Sequence, residues 1–150
     1  MGAKLRRGSG ADHELSEILT ELSTLSANKI VRASREITQA AGFAWWWQHP
    51  SLTDRLFRFP QSERQLMFRN ADYAWLFLFH PDGYLREAAL CAIATPPTSS
   101  FFLSALAWRL NDWAGPVRRA AIECFRRVSA NTSAAIAAEA ALYLLERRFV

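Results

Sequence analysis

The sequence predicts an all-α protein, built as an α-solenoid of antiparallel helix pairs. Three observations carry that expectation. Apolar residues recur at steps of three and four along most of the chain, which is the period of one helical face. Turn-forming clusters such as His80-Pro-Asp-Gly83 and Asn111-Asp-Trp-Ala-Gly115 separate these stretches. Two of the stretches also match each other at an offset of 32 residues, a period at which helical hairpins stack on one another.

The elements follow in order. Residues 1–11 (MGAKLRRGSGA) form a flexible basic tail. A helix over 12–26 begins at Asp12, a good N-cap, and aligns Leu15, Ile18, Leu19, Leu22 and Leu25. A second, over 28–41, carries Ile30, Val31, Ile37 and Ala41, and Gly42 stops it. The aromatic block Phe43–Trp47 and the His49-Pro50 break precede a short helix over 51–59, which Pro60 ends. Ser62 and Gln65 have the spacing of a capping box and open a helix over 62–68. These elements make an N-terminal helical region, residues 12–67.

From residue 68 to residue 150 the pattern is repetitive. Helices are expected over 70–79, 84–94, 99–110, 116–128 and 132–148, nine helices in all with the earlier ones. Pro116 suits the first position of its helix, where the missing N–H costs nothing. Leu85–Ile93 (LREAALCAI) lies over Val117–Phe125 (VRRAAIECF), and Tyr73, Leu76, Phe77 and His80 correspond to Leu103, Leu106, Ala107 and Leu110. The third unit supplies only a first helix, with Ile136, Ala137, Ala140, Ala141 and Leu144 inside. The array is therefore expected to be truncated at its C-terminal end.

The second copy, DWAGPVRRAAIECF, resembles the HEAT-repeat family, and in its short period the short HEAT-like repeats of uncharacterised bacterial proteins. The resemblance covers about half the chain. It implies a polar ladder in which a turn Asp meets an Arg of a neighbouring repeat, here Asp112 with Arg118 and Arg86. The first copy departs from the pattern, because His80 stands in the place of the Asp. It also implies a scaffold that binds other macromolecules.

Composition narrows the function. With 51% hydrophobic and 21% charged residues among 150, the chain is globular and of single-domain size. Its longest apolar runs are too short to span a bilayer. Acidic residues Asp12, Glu14 and Glu17 follow the basic start where a secretory signal would be apolar, so a cytoplasmic location is expected. Cys91 and Cys124 fall on apolar stripes and are expected to be buried free thiols. No catalytic, cofactor-binding or metal-binding constellation stands out: His13, His49 and His80 lack metal-ligand spacing, and Asp82 and Asp112 suit turn caps.

The leading expectation is a non-catalytic scaffold for a protein partner, using the inner-helix surface of Glu87, Arg119, Glu123, Arg126 and Arg127. Nucleic-acid binding is the alternative. The net charge is +4 and arginine supplies nearly all the basic residues, with Arg118, Arg119, Arg126 and Arg127 on one helix and Arg147 and Arg148 beyond. The six tryptophans offer stacking surfaces, although Trp45–Trp47 point around a helix and not along one platform. A DNA-repair enzyme of the HEAT-like glycosylase kind is a third reading, for which no residue is diagnostic.

Overall fold

The computed structural model describes residues 4–5, 10–43 and 61–146, with backbone alone for 61 and 62. The expected helix at 51–59, the Trp45–Trp47 block, Arg147, Arg148 and most of the basic tail lie outside the described residues. Among the described residues there are eight α-helices and no strand: α1 (Asp12–Ser23), α2 (Ile30–Ala40), α3 (Gln61–Arg69), α4 (Tyr73–Phe77), α5 (Gly83–Ala92), α6 (Ser100–Arg109), α7 (Gly115–Ser129) and α8 (Ala134–Glu146). A 3-10 turn, Ala27–Lys29, joins α1 to α2.

Local chemistry sets most helix ends. Ala11, and not Asp12, is the residue before α1. Its N–H donates to the Tyr73 hydroxyl at 2.6 Å, while Asp12 sits inside the first turn and accepts from Asn70 at 3.2 Å. Gly42 ends α2 as expected, in a left-handed conformation with φ of 69°. The Gly42 N–H reaches the Gln39 carbonyl at 3.0 Å and the Phe43 N–H reaches Thr38 at 2.9 Å, the pair of bonds that defines a Schellman end. That closure aims Phe43 inward, onto the Phe77 ring at 5.9 Å and the His80 ring at 4.5 Å.

The expected helix over 70–79 is α-helical only over Tyr73–Phe77. Around it, bonds such as Tyr73 N–H to Asn70 O and Phe79 N–H to Leu76 O span three residues, so the segment is partly wound as a tighter 3-10 turn. All of Tyr73–His80 is buried nonetheless. Asp82 caps α5 by accepting from the Tyr84 N–H at 2.8 Å, and Ser99 and Ser133 take the corresponding position before α6 and α8.

The helices pack chiefly in pairs. Helix α5 lies along α7, with α3 on its other flank. Helix α4 pairs with α5 and α6 with α7, so each pair is a helical hairpin, and α8 lies against α6. The N-terminal helices α1 and α2 and the turn between them also pack against α6. Helix α6 is therefore enclosed, and Ser100 to Ala107 are all buried. Aromatic contacts stitch α4 and its flank to it: Trp75 with Phe102 at 5.3 Å and Phe79 with Phe101 at 6.0 Å.

Two further expectations are corrected. Helix α8 buries Ala140, with Ile136 and Tyr143 half-buried beside it, while Ala137, Ala141 and Leu144 are exposed. Its inward face is rotated from the stripe read in the sequence, because alanine is apolar on either side and leaves the register to Ile136 and Tyr143. Cys91 is exposed, and only Cys124 is buried.

Enclosure predicts a steep contrast within the core. Replacing Leu106 of α6 by Ala removes a fully buried side chain and is expected to cost about 2–5 kcal/mol in urea unfolding. Leu145→Ala on the outer side of α8 should stay within about 0.5 kcal/mol.

Candidate interaction surface

The two turns that precede α5 and α7 share one hydrogen-bond plan. In the first, Nη1 of Arg86 donates to the His80 carbonyl at 2.9 Å and the Pro81 carbonyl at 2.7 Å. In the second, Nη1 of Arg118 donates to the Asp112 carbonyl at 2.7 Å and the Trp113 carbonyl at 3.1 Å. Nδ1 of His80 accepts the Asp82 N–H at 3.0 Å, and Oδ1 of Asp112 accepts the Ala114 N–H at 3.1 Å. Every partner is displaced by 32 residues from its counterpart. The imidazole thus fills the local role of the carboxylate.

The carboxylate also links the units. Arg86 grips Asp112 with both prongs: Nε to Oδ2 at 2.9 Å and Nη2 to Oδ1 at 2.8 Å. Arg109 adds a third charged donor at 2.8 Å. Both members of the Arg86–Asp112 pair are buried. Burial is the largest influence on Asp112 and pushes its pKa up. The bonds from Arg86, the Ala114 N–H and Arg109 outweigh it and hold the carboxyl below its ordinary value. The ladder contact therefore runs from Arg86 of the first unit to Asp112 of the second. Arg118, expected to join it through the Asp112 side chain, binds the backbone of its own turn.

Arg127 is likewise occupied. Its Nε donates to the Ile93 carbonyl at 3.0 Å, and its Nη2 reaches the same carbonyl at 2.7 Å and Leu90 at 2.8 Å. These are carbonyls at the end of α5, which lacks a glycine cap. Arg127 is a bolt between α7 and α5 that stays exposed on the helix surface.

Of the expected surface, Arg119, Glu123, Arg126 and Arg127 on α7 are exposed, and Glu87 on α5 is half-buried. Arg119 and Arg126 are two turns apart, about 10 Å along the axis. Two further aromatics are exposed on the same elements: Tyr84 in the first turn of α5, at 79%, and Trp113 in the turn before α7, at 81%. The Arg86 guanidinium lies 5.9 Å from the Trp113 ring centre, so the ring covers the outer side of the ladder. Its place in a turn, among Asn, Asp and Gly, was the sequence signal for exposure. Trp75 is core, and Trp108 is half-buried under Arg109 at 4.6 Å. Among the described residues no group of His, Cys, Asp and Glu is arranged to hold a metal. Burial pushes the Cys124 thiol up to about 11, away from reactivity.

His80 gives the turns a pH dependence. Burial is the larger influence and the Arg86 guanidinium adds to it, and together they lower the imidazole from 6.5 to about 3. In the window between these values the unfolded chain holds the proton and the folded chain does not, so stability falls as pH falls. The limiting slope for one such group is about 1.4 kcal/mol per pH unit. His80→Asn keeps an acceptor for the Asp82 N–H and does not titrate. It is expected to flatten the slope of urea-unfolding stability between about pH 6.5 and 4. Asp112 contributes lower down: its stabilisation is present above the ordinary carboxylate value and is lost as pH falls through the folded-state value.

Removing the Asp112 charge leaves Arg86 buried and unpaired. Asp112→Asn should cost about 3–5 kcal/mol by the same measurement, with helical content retained at low temperature. A loss below about 1 kcal/mol would mean that the pair is not the link between the units.

Compared with known proteins, the chain matches no family model, no curated protein and no solved structure.

Proposed function

We propose that the chain is a short HEAT-like α-solenoid that acts as a non-catalytic cytoplasmic scaffold, binding a protein partner through the exposed side of α5 and α7. The observation that carries the reading is the composition of that side. Two large aromatics, Tyr84 and Trp113, stand four-fifths exposed on the same helix pair and turn that carry charges of both signs, Arg119 and Arg126 with Glu87 and Glu123. Tyrosine, tryptophan and arginine are the residues that carry most energy in protein–protein contacts. Their exposure is costly in isolation and is offset when a partner covers them.

The nucleic-acid reading loses support on the same surface. Of the four arginines on α7, Arg118 and Arg127 spend donors on backbone carbonyls. The two left over have Glu123 between them, which weakens attraction to a phosphate chain.

The test has two arms. Anisotropy with labelled single- and double-stranded DNA and RNA is expected to show no affinity that falls steeply with salt, the signature of phosphate contacts. Site-specific photo-crosslinkers placed at Glu87 and Glu123, used in the native host, should trap a protein of defined mass. That adduct should be lost on Trp113→Ala or Tyr84→Ala, each expected to weaken binding about tenfold or more. A steep salt slope with adducts indifferent to both aromatics would reverse the reading.

A further inference from the structure

Helix α5 is flanked by α7 and by α3. Helix α4 packs on α3 and α5, and α6 packs on α7. The contacts of Trp75 with Phe102 and of Phe79 with Phe101 join α4 and its flank to α6. The buried sides of α3, α5 and α7 are therefore turned toward α4 and α6, and their exposed sides share the face turned away.

That face is basic. It exposes Arg64 and Arg69 on α3 and Arg118, Arg119, Arg126 and Arg127 on α7, against one exposed carboxylate, Glu123. Helix α5 adds no exposed charge: its Tyr84 and Cys91 are exposed, and its Glu87 and Ala88 are half-buried. Acidic side chains are gathered elsewhere, with Asp12, Glu17 and Glu21 exposed on α1. Each flank and the centre also present one large aromatic to water: Phe68 on α3 at 87%, Tyr84 at the start of α5 and Trp113 in the turn before α7. Packed helices lie about 8–10 Å apart, so the axes of α3 and α7 are no more than about 16–20 Å apart. A helix with its side chains is about 10–12 Å across, so one helix laid over α5 reaches the arginines of both neighbours.

We infer that this face docks an acidic amphipathic helix of a partner protein, with carboxylates along both edges and an apolar stripe between them. Charge complementarity selects the occupant. Arg118 and Arg127 hold backbone carbonyls, so the carboxylates fall to Arg64 and Arg69 on one edge and to Arg119 and Arg126 on the other. The apolar stripe covers Phe68, Tyr84 and Trp113, the mode in which a helix is held in a groove. A second copy fits poorly: its acidic helix, α1, exposes His13, Glu17, Thr20, Glu21 and Thr24, with no apolar side chain among them. Residues 6–9, 44–60 and 147–150 carry six arginines against Asp54 alone, and so bring the wrong charge. A line of phosphates would meet Glu87 over the centre and Glu123 between Arg119 and Arg126, whereas carboxylates placed at the edges avoid both. The inference rests on the scaffold reading and deepens it, naming the partner's chemistry and adding α3 to the surface.

The first probe is a labelled, helix-stapled peptide of leucine, glutamate and alanine, with leucine at steps of three and four and glutamate on both edges. It is titrated into the full chain and followed by anisotropy. Saturable one-to-one binding is expected, and a version with lysine for every glutamate should not bind. Arg64→Glu with Arg69→Glu should weaken the peptide about tenfold or more, and Arg119→Glu with Arg126→Glu should do the same. Arg32→Glu with Arg35→Glu makes the same change in net charge on the exposed side of α2, away from the face, and should leave the affinity within about twofold. No saturable binding up to about 1 mM overturns the inference. So does equal weakening by all three pairs, which would report attraction to net charge alone.

The second probe is a photo-crosslinker at Gln65, exposed on α3, used with the full chain in the native host. The trapped peptide, sequenced by mass spectrometry, should carry aspartate and glutamate on both sides of an apolar stripe at helical spacing. A trapped peptide without that pattern, a nucleic-acid adduct or a second copy of this chain each overturns the assignment. The scaffold reading fails separately. Adducts at Glu87 and Glu123 that are lost on Trp113→Ala but ignore both arginine pairs keep it and sink this inference. No adduct at Glu87, Glu123 or Gln65 sinks both.

Discussion

The contact between Arg86 and Asp112 is the constraint around which the helix pairs are arranged. Two charges lie out of water in the middle of the molecule. Such a pair is stabilising only if the geometry is close to ideal and the remaining donors and acceptors are filled. Both conditions hold. The fork meets the carboxylate bidentately, Arg109 and the Ala114 N–H take further lone pairs, and the last prong of Arg86 goes to the carbonyls of its own turn. One residue type at one position therefore sets three things at once: the shape of the first turn, the shape of the second and the distance between them.

A buried network of this kind specifies more than it stabilises. Hydrophobic packing between α5 and α7 would tolerate small slides, because Leu85, Ala89, Ala121 and Cys124 are smooth and small. The fork does not tolerate a slide of even one ångström without exposing an unpaired charge to a low-dielectric interior. Arg127 acts at the far end of the same two helices, tying α7 to the closing carbonyls of α5. The two helices are thus pinned at both ends by arginine and filled between by apolar side chains.

Much of this was legible in the sequence, and the reasons for the rest are physical. The match of LREAALCAI to VRRAAIECF located both inner helices and the arginine that repeats in them. Turn chemistry placed Asp82, Gly42 and Trp113 correctly. The enclosure of α6 was not legible, because a single stripe of Leu103, Leu106 and Leu110 says nothing of what α1 and α2 will place on the other side. The resemblance implied the pairing of Arg86 with Asp112, but the partners of Arg118 and Arg127 were not legible. Arg118 and Arg127 have the spacing of a solvated basic face, and only the positions of the Asp112, Trp113, Leu90 and Ile93 carbonyls show them to be engaged. In α8 the run of alanines carries no directional information, so the inward face could be found only from the packing.

The burial of α6 by α1 and α2 sets an order of events during synthesis. The N-terminal helices are made first, but the surface they rest on is α6, and sixty residues separate Ala40 from Ser100. The Ala11 N–H waits for a hydroxyl 62 residues further on. A helix pair array assembles between sequence neighbours as it emerges, whereas here the first-made helices close over the array last. Until α6 is made, the part of the α1 and α2 surface that rests on it stays open in the nascent chain, an interval that favours chaperone contact and aggregation.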